Sequence, residues 1–590
     1  MLSKSKKTII IYGGLFLYYL LMLYPVLRSG WMYDDILNYT SKGYALLHNM
    51  SIWQMTKTIA LEWFHNQGRT FFFAWYSYAF FSIVGLHGYK LIIVLCTFVN
   101  GIMLSLIISR YTKDGRIGSI TVSLFPIVVS LNSSYFNAMF GFHMLVQVVF
   151  FWSLLSWYFF ILYLEKGKYL WQILSGVSLF IALGTYEISY VLCLLFFITS
   201  IGVQKNFLKA IKKILPQIFI ALFWLALTIY ATKQAPASYP GTSIKLGEAC
   251  WWGFLKQLSG SSCYISNITN LQKLTQNIEL IEKYQVRWII SFLLAGIVLN
   301  CYIFLNNKKR EECSKENYNI DNLILNAVWI IVGPCILIAL SGRYQNEVDW
   351  GKGYLAAYVS TWGVCVCIAV FFEFLLNNVN NKKYLCVVSI LICASMVIPN
   401  QMIADLTIDE WGNSNYYGDL VFKEAKKLGL FDSWNENERI LDGDDTWGGV
   451  DQHYDYAIGY RVNAHQYSEL YEIENGVLNY TQLYDEYNDG NGFYYIVRPY
   501  GGKALFMAYA DRVNVWQTDQ GTTDFSVYSD EIQVYVPDDS TYTNIAVTYD
   551  DGQSEILNLD DENLENRSKK GALYDIQLRM NANIRAISIQ

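Results

Sequence analysis

Two adjacent acids, Asp34 and Asp35, stand in Gly30-Trp31-Met32-Tyr33-Asp34-Asp35, a few residues after the first long apolar run, Ile9–Val26. Acids are scarce in this part of the chain: of 50 Asp and Glu residues, 34 fall after residue 403 and 16 before it. A carboxylate placed here can take the proton of a sugar hydroxyl as its oxygen attacks, which is general-base work. A lipid phosphate departs well unprotonated, so one base suffices. Asp34 is the better candidate for that base, with Asp35 as its supporting acid. Two neighbouring carboxylates also repel, which raises one pKa, or they share a divalent metal. The plain alternative is helix capping, in which an Asp accepts backbone N–H bonds at the positive end of an interfacial helix. The sequence alone does not choose among these.

Other chemistry-bearing residues gather in the segments that join apolar runs. Glu187, in Gly184-Thr185-Tyr186-Glu187, closes one such run and could accept a substrate hydroxyl; an ordinary interfacial acid is the competing reading. Arg69 and Arg343 could each neutralise a phosphate, since a guanidinium grips phosphate bidentately, or could pair with a nearby carboxylate. His65 lies between Glu62 and Arg69, and Lys352 ends the polar stretch Gly342–Lys352 that also carries Glu347 and Asp349. His143 opens a run beside a polar turn and reads as structural. There is no HExxH, CxxC, Walker loop, GxGxxG or GxSxG in a usable context.

These residues need elements to hold them. The 590-residue chain is 53% hydrophobic, in long runs. A helix needs about 20 apolar residues to cross a bilayer core, and eleven spans are expected near 8–27, 90–109, 117–132, 143–163, 169–184, 188–204, 214–231, 288–305, 322–341, 355–376 and 384–403. Lys4, Lys6 and Lys7 before the first run would suit a signal peptide, but no small-residue cleavage site follows, so the run reads as a retained helix. Residues 404–590 carry 34 acids and 13 bases, net −21, whereas residues 1–403 carry 16 acids and 31 bases, net +15. A basic membrane part joined to an acidic tail argues against nucleic-acid binding.

Lys and Arg in short loops set orientation. With the N-terminus cytoplasmic, the inner loops hold Arg110/Lys113/Arg116, Lys166/Lys168, Lys205–Lys213, Lys308–Lys315 and Lys382/Lys383, while the turns at 133–142 and 185–187 hold neither residue type. The tail is then extracytoplasmic. The apolar stretch 71–86 would invert every later loop if it were a twelfth span, so it reads as an interfacial or re-entrant helix. The outer loop 28–89 should hold a surface helix over Tyr33–His48 and a second over Ile52–Phe64, with Gly68-Arg69 as the turn after it. The spans hold almost no ionisable residue apart from Glu373, which counts against a proton-driven carrier. Charges collect instead on one surface, as a reaction between a lipid-borne and a polar reagent would need.

The tail should begin with a helix near Asp419–Leu428. It then reads as strands over Phe493–Arg498, Phe525–Val536, Thr543–Tyr549, Tyr574–Leu578 and Ile584–Ile589, a small β-rich domain of sandwich type. It has none of the eleven cysteines. Cys250 and Cys263 share one loop and could pair in an oxidising setting. The expected fold class is therefore a polytopic α-helical membrane protein (1–403) with a C-terminal extracytoplasmic β-rich domain (404–590).

In order and sidedness this layout resembles the GT-C glycosyltransferases, membrane enzymes that use polyprenyl-phosphate sugars. The matching features are Asp34-Asp35 after the first span, the loop up to Lys90, the Gly68-Arg69 turn and Glu187 at an outer helix end. Over roughly residues 1–400 the best match is to bacterial GtrII-like glucosyltransferases of the O-antigen-modifying sort. The resemblance implies a hexosyltransferase of the cell envelope, located in the cell membrane. Its partners would be a polyprenyl-phosphate-linked sugar donor, a cell-surface glycan acceptor and membrane lipids. It further implies Asp34 as catalytic base, Asp35 as its partner, and inversion at the anomeric carbon. Many relatives carry Asp-Glu at the acidic pair, and some carry His or a Pro-rich stretch at the Arg69 position. Two rival readings are a polysaccharide polymerase or ligase, centred on outer-loop arginines and histidines, and a lipid-glycan flippase or sensor.

Overall fold

The computed structural model describes residues 4–29, 32, 50–113, 115–132, 137–142, 144–236, 239–271, 279–305, 320–379, 381–408, 424–425, 427–429, 439–442, 480–482, 493–497, 505–510, 512–517, 523–537, 542–580 and 582–589. Asp34, Asp35, His143 and the expected helix over Tyr33–His48 lie outside these residues. The chain divides into two compact units: Met1–Arg28 with Thr56–Thr407, and Ser29–Met55 with Ile408–Gln590.

The first unit is helical. Seven of its helices are long and apolar enough to cross a membrane: His87–Thr112, Leu145–Lys166, Phe207–Gln234, Lys283–Ile303, Ile320–Leu340, Ala357–Asn378 and Lys382–Thr407. Four shorter apolar helices cover Tyr12–Met22, Gly115–Val128, Tyr169–Leu183 and Ile188–Gln204. Each expected span falls on one of these. The last helix runs on to Thr407, past the boundary at 403 drawn from hydropathy.

Contacts between loops sort the two ends of the bundle. At one end Arg110 meets Glu165 at 3.3 Å, Arg116 meets Glu373 at 3.5 Å, and Lys213 donates to the Tyr163 hydroxyl at 3.3 Å. The opposite end is knitted by Phe73 N–H to Gly184 O (2.9 Å), Tyr239 N–H to Gln67 O (3.1 Å), Lys245 N–H to Leu340 O (2.9 Å) and Tyr354 N–H to Gln257 Oε1 (2.7 Å). The stretch near 71–86 is tied at both sides, by the Phe73 bond to Gly184 O and by Lys90, whose ammonium donates to Phe140 O. It is helical from Trp75 and joins the helix running to Thr112 through a break at Gly85, whose φ of +65° a side chain would resist.

Four prolines sit inside apolar helices: Pro126, Pro216, Pro334 and Pro399. Each removes an N–H and strips a carbonyl of its usual donor about a turn earlier. In hydrocarbon such groups must find partners within the protein, and here other helices supply them. Tyr19 donates to Val122 O (2.7 Å) and Tyr18 to Ser123 O (3.1 Å). Gln172 donates to Lys213 O (3.2 Å), Ser360 to Ile331 O (2.9 Å) and Asn267 to Met396 O (3.2 Å). The prolines thereby fix which helices are neighbours. Cys250 and Cys263 are both free thiols, and Cys263 donates to Ile127 O at 3.2 Å.

The second unit carries β1 (Arg439–Asp442), β2 (Tyr480–Gln482), β3 (Phe493–Val497), β4 (Leu505–Ala510), β5 (Arg512–Gln517), β6 (Thr523–Tyr528), β7 (Glu531–Pro537), β8 (Asn544–Tyr549), β9 (Ser554–Asn558), β10 (Leu564–Arg567), β11 (Gly571–Gln577) and β12 (Asn583–Ile589). One sheet has the order β10-β11-β7-β4-β3-β1-β2 and the other β5-β6-β12-β8-β9. Ile532, Val534, Ala572 and Ile576 from the first share a buried core with Ile545, Val547, Ile584 and Ile587 from the second, so two sheets pack face to face. The run Phe525–Val536, expected as one strand, is two. Ser529-Asp530 interrupts it, with the Ser529 hydroxyl bonded to Glu531 O at 2.6 Å, and β6 and β7 join different sheets.

Burial pushes the β11 carboxyl of Asp575 up to about 6, with Glu531 and Glu565 adding in the same direction. A folded pKa above the unfolded value of about 3.9 means that the native state binds the proton more tightly. This contribution is present in full below pH ~4 and is lost as pH rises through ~6. Amides of β7 and β11 should be better protected at pH 5 than at pH 7 after correction for intrinsic exchange rates. Asp575→Asn should remove the difference.

Candidate functional site

The helix Ile52–Gln67 ends in Gly68, at φ +70°, and a Cβ there would stand 2.6 Å from Thr232 Cα. The glycine lets the chain turn against the backbone of Phe207–Gln234 and sends Arg69 inward. On the facing segment Gly184 plays a similar part, since a Cβ would stand 2.5 Å from the Trp224 ring. That close approach delivers Tyr186 and Glu187 to the same place.

Arg69 is 7% exposed, and its guanidinium is held side-on by Glu187: Nε to Oε1 and Nη2 to Oε2, both 2.9 Å. Four rings surround it, with centroids 3.8 Å (Phe71), 4.3 Å (Tyr239), 5.5 Å (Trp63) and 5.9 Å (Tyr186) from the guanidinium carbon. Such rings offer negative faces to a cation. Burial opposes the charge on Arg69, but Glu187 outweighs it, and the pKa stands above the ordinary arginine value. Burial, then the Glu187 charge, raises the Tyr186 phenol, which stays protonated. Two residues that the sequence offered as separate ligands are thus partners of one another. Glu187 keeps 23% of its side chain exposed, so its outer lone pairs remain within reach of a hydroxyl.

From this pair a row of tyrosines runs across the same end of the bundle. Tyr239 and Tyr344 share a hydroxyl hydrogen bond of 2.7 Å, and the rings of Tyr344 and Tyr354 lie 4.3 Å apart. Arg343 donates to the Tyr239 hydroxyl at 3.3 Å while its Nε holds Glu347 at 2.8 Å. Burial opposes its charge too, but the bond to Glu347 raises its pKa above normal. Burial pushes the Tyr344 phenol up as well. Lys352, half exposed, pairs with Asp349 at 3.1 Å. Arg69, Glu187 and Arg343 are therefore joined in one cluster through Tyr239, and Arg69, Arg343 and Lys352 each pair with a carboxylate of their own. His65 does not join it: the ring is exposed and rests edge-on against Phe64 at 5.2 Å. The rings that line the surface (Trp63, Tyr239, Tyr344 and Tyr354) were not singled out from the sequence, and only the aromatic character of those loops hinted at them.

A second cluster was missed outright. Asp405, in the last turn of Lys382–Thr407, has a fully buried side chain. Arg28 donates to Oδ1 at 2.9 Å, Trp288 Nε1 to Oδ2 at 2.7 Å, and Arg287 also bonds to Oδ2. Arg287 further bonds to Gln401, whose amide donates to Met22 O at 2.9 Å. This cluster ties the exit of the first helix, from which the chain runs on to Asp34-Asp35, to the exit of the last. Among the described residues no group of three or more His, Cys, Asp or Glu is placed to hold a metal ion.

No family model matches the chain, and the comparison with curated proteins gives no match. Among solved structures it is similar to the archaeal oligosaccharyltransferase AglB from Archaeoglobus fulgidus, in complex with an inhibitory peptide and a dolichol-phosphate. The TM-score is 0.38 at 11% identity, over 99% of this chain and 76% of that one. It is also similar to the arabinosyltransferase EmbB from Mycobacterium smegmatis, with a TM-score of 0.29 at 9% identity, over 100% of this chain and 63% of that one.

Proposed function

We propose that this membrane protein transfers a sugar from a polyprenyl-phosphate donor to a cell-surface glycan on the outer face of the membrane. The observation that supports this reading most is the connected aromatic and ion-paired surface around Arg69 and Glu187. It lies at the end of the bundle opposite the Arg110–Glu165 and Arg116–Glu373 pairs. In this reading the N-terminus is cytoplasmic and the tail extracytoplasmic. Asp34 takes the proton of the acceptor hydroxyl, whose oxygen bonds to the anomeric carbon as the bond to the lipid phosphate breaks. The lipid phosphate leaves with that bonding pair. Asp35 supports Asp34, and Glu187 orients a hydroxyl.

The test uses the purified full chain with labelled polyprenyl-phosphate sugars and the host glycan. Removing a general base typically costs about 10²- to 10⁴-fold in rate, so Asp34→Asn should lose at least ~100-fold in transfer with folding intact. Undiminished transfer in that variant would overturn the reading and favour a polymerase or ligase centred on the arginines. Cysteine labelling that placed residues 110–116 outside would overturn the sidedness.

A further inference from the structure

Large apolar side chains stand open to the surroundings where four spanning helices end. Ile244, Leu246, Trp251, Trp252 and Trp350 are each between 44% and 80% exposed. They lie in the two segments that join Phe207–Gln234 to Lys283–Ile303 and Ile320–Leu340 to Ala357–Asn378. The Trp252 and Trp350 rings meet edge to face, 6.3 Å apart, so the two segments form one patch. Exposed apolar patches rimmed by polar residues mark interaction surfaces, and the place of this one in the fold points to its partner.

The helix Glu248–Ser259 has 12 residues, about 18 Å of axis, which is too short to span a bilayer. It has two working faces. Gly253 and Gln257, one turn apart, are buried against the bundle. A Cβ on Gly253 would stand 3.7 Å from Ala339 Cα, and Gln257 Oε1 accepts from Tyr354 N–H at 2.7 Å. The other face carries Trp251, Trp252, Leu255 and Leu258 at helical spacing. Ala339 is the last residue but one of the spanning helix Ile320–Leu340, so the short helix packs at a depth within that span. Just upstream, Ile244 pairs with Ser341 in an antiparallel bridge. Lys245 N–H bonds to Leu340 O and Gly342 N–H to Ser243 O, each at 2.9 Å. These bonds set Ile244 and Leu246 level with the point where Ile320–Leu340 leaves hydrocarbon. The Trp252 indole donates to Glu248 Oε1 at 3.2 Å, so it has a wet edge and an apolar body. Lys245 stands next to Leu246, and Lys256 lies one turn after Trp252. Indoles flanked by ammonium groups belong at the level of lipid headgroups, where phosphates attract the cations.

We infer that Glu248–Ser259, with residues 243–246 and Trp350, is a membrane anchor seated at the boundary between lipid headgroups and acyl chains. Its outward face lies on the acyl chains, and Lys245 and Lys256 suit the phosphates above them. The anchor is fastened to the loop that carries Tyr354. Gly351 N–H bonds to Ser259 Oγ at 2.7 Å, and a Cβ on Gly260 would stand 2.5 Å from Gly353 N. Gly351 and Gly353 take φ of +74° and +69°, which lets the loop press against the helix end. A depth fixed for the anchor is therefore a depth fixed for the tyrosine row Tyr239–Tyr344–Tyr354. The anchor needs no transfer activity, so its test stands apart from the proposed function.

The test uses the full chain in nanodiscs of phosphatidylcholine and phosphatidylglycerol. Spin labels are attached through p-acetylphenylalanine, which leaves the native cysteines unlabelled, at position 246, 251 or 350. Power-saturation EPR compares collisions with oxygen, which concentrates in lipid, and with a nickel chelate, which stays in water. The oxygen-to-nickel ratio at these positions should exceed that at Lys569, an exposed lysine of the β-rich unit, by at least about threefold. It should stay below the ratio at Leu222, an exposed residue of the spanning helix Phe207–Gln234. Ratios equal to that at Lys569 would place the patch in water and overturn the anchor. Few collisions with either reagent, with spectral broadening that grows as protein is added per nanodisc, would place a second copy on the patch and overturn it as well. Should a label at one position prevent folding, the other two decide.

Discussion

Asp405→Ala should cost the membrane unit about 3–5 kcal/mol of stability, the usual penalty for removing one partner of a buried ion pair. The carboxylate is completely buried and receives Arg28, Arg287 and the Trp288 indole. Without it, Arg28 and Arg287 lose the carboxylate that they share. A thermal series in detergent, read by loss of the monodisperse peak, checks this directly. Asp405→Asn keeps the shape but not the charge and should behave almost as badly. Arg287→Gln combined with Asp405→Asn should recover part of the loss, because it also removes one uncompensated cation. A wild-type melting temperature for Asp405→Ala would mean that the cluster does not hold the first and last helices together.

Breaking the Arg69–Glu187 pair should produce the second large effect. Arg69→Lys is expected to lose nearly as much as Arg69→Ala, in the order of 2–4 kcal/mol, because an ammonium cannot form the two parallel bonds or lie flat among four rings. Glu187→Gln should destabilise through the opposite partner, leaving Arg69 charged and buried. The double variant Arg69→Met/Glu187→Leu replaces the pair with apolar groups of similar size and should approach wild-type stability. Transfer activity in that double variant separates two roles. If melting recovers while transfer stays at least tenfold down, the pair acts on substrate; if both recover, it only supports the fold.

Much of the helical unit was readable in the chain. Runs such as 143–163 and 322–341 fall on Leu145–Lys166 and Ile320–Leu340, because an apolar stretch of that length has no other stable form in lipid. The end-sorting of Arg110, Arg116, Lys166 and Lys213 was readable for a related reason, as charges crowd where the chain leaves hydrocarbon. Asp405 was not. Hydropathy falls off before the helix does, so the acid appeared to belong to the tail. The strands of the second unit followed their alternation, as in Asn544–Tyr549, where every second residue is buried. The turn at Ser529-Asp530 escaped because both flanks continue the same pattern, and the cross-over between sheets leaves no local trace.

What the sequence determined by itself was therefore local and periodic: which segments are helices, which are strands, which ends carry positive charge, and where acids are concentrated. Burial of apolar surface has no direction, so composition and spacing are enough to announce it. Tertiary structure decided the pairings. Arg69 finds Glu187 across 118 residues and Arg28 finds Asp405 across 377, and the carbonyls about a turn before each helix proline are served by a particular tyrosine, glutamine, serine or asparagine from another helix. Hydrogen bonds and ion pairs hold only over short distances and narrow angles, so their partners are set by how the helices finally pack and not by anything the residues announce alone.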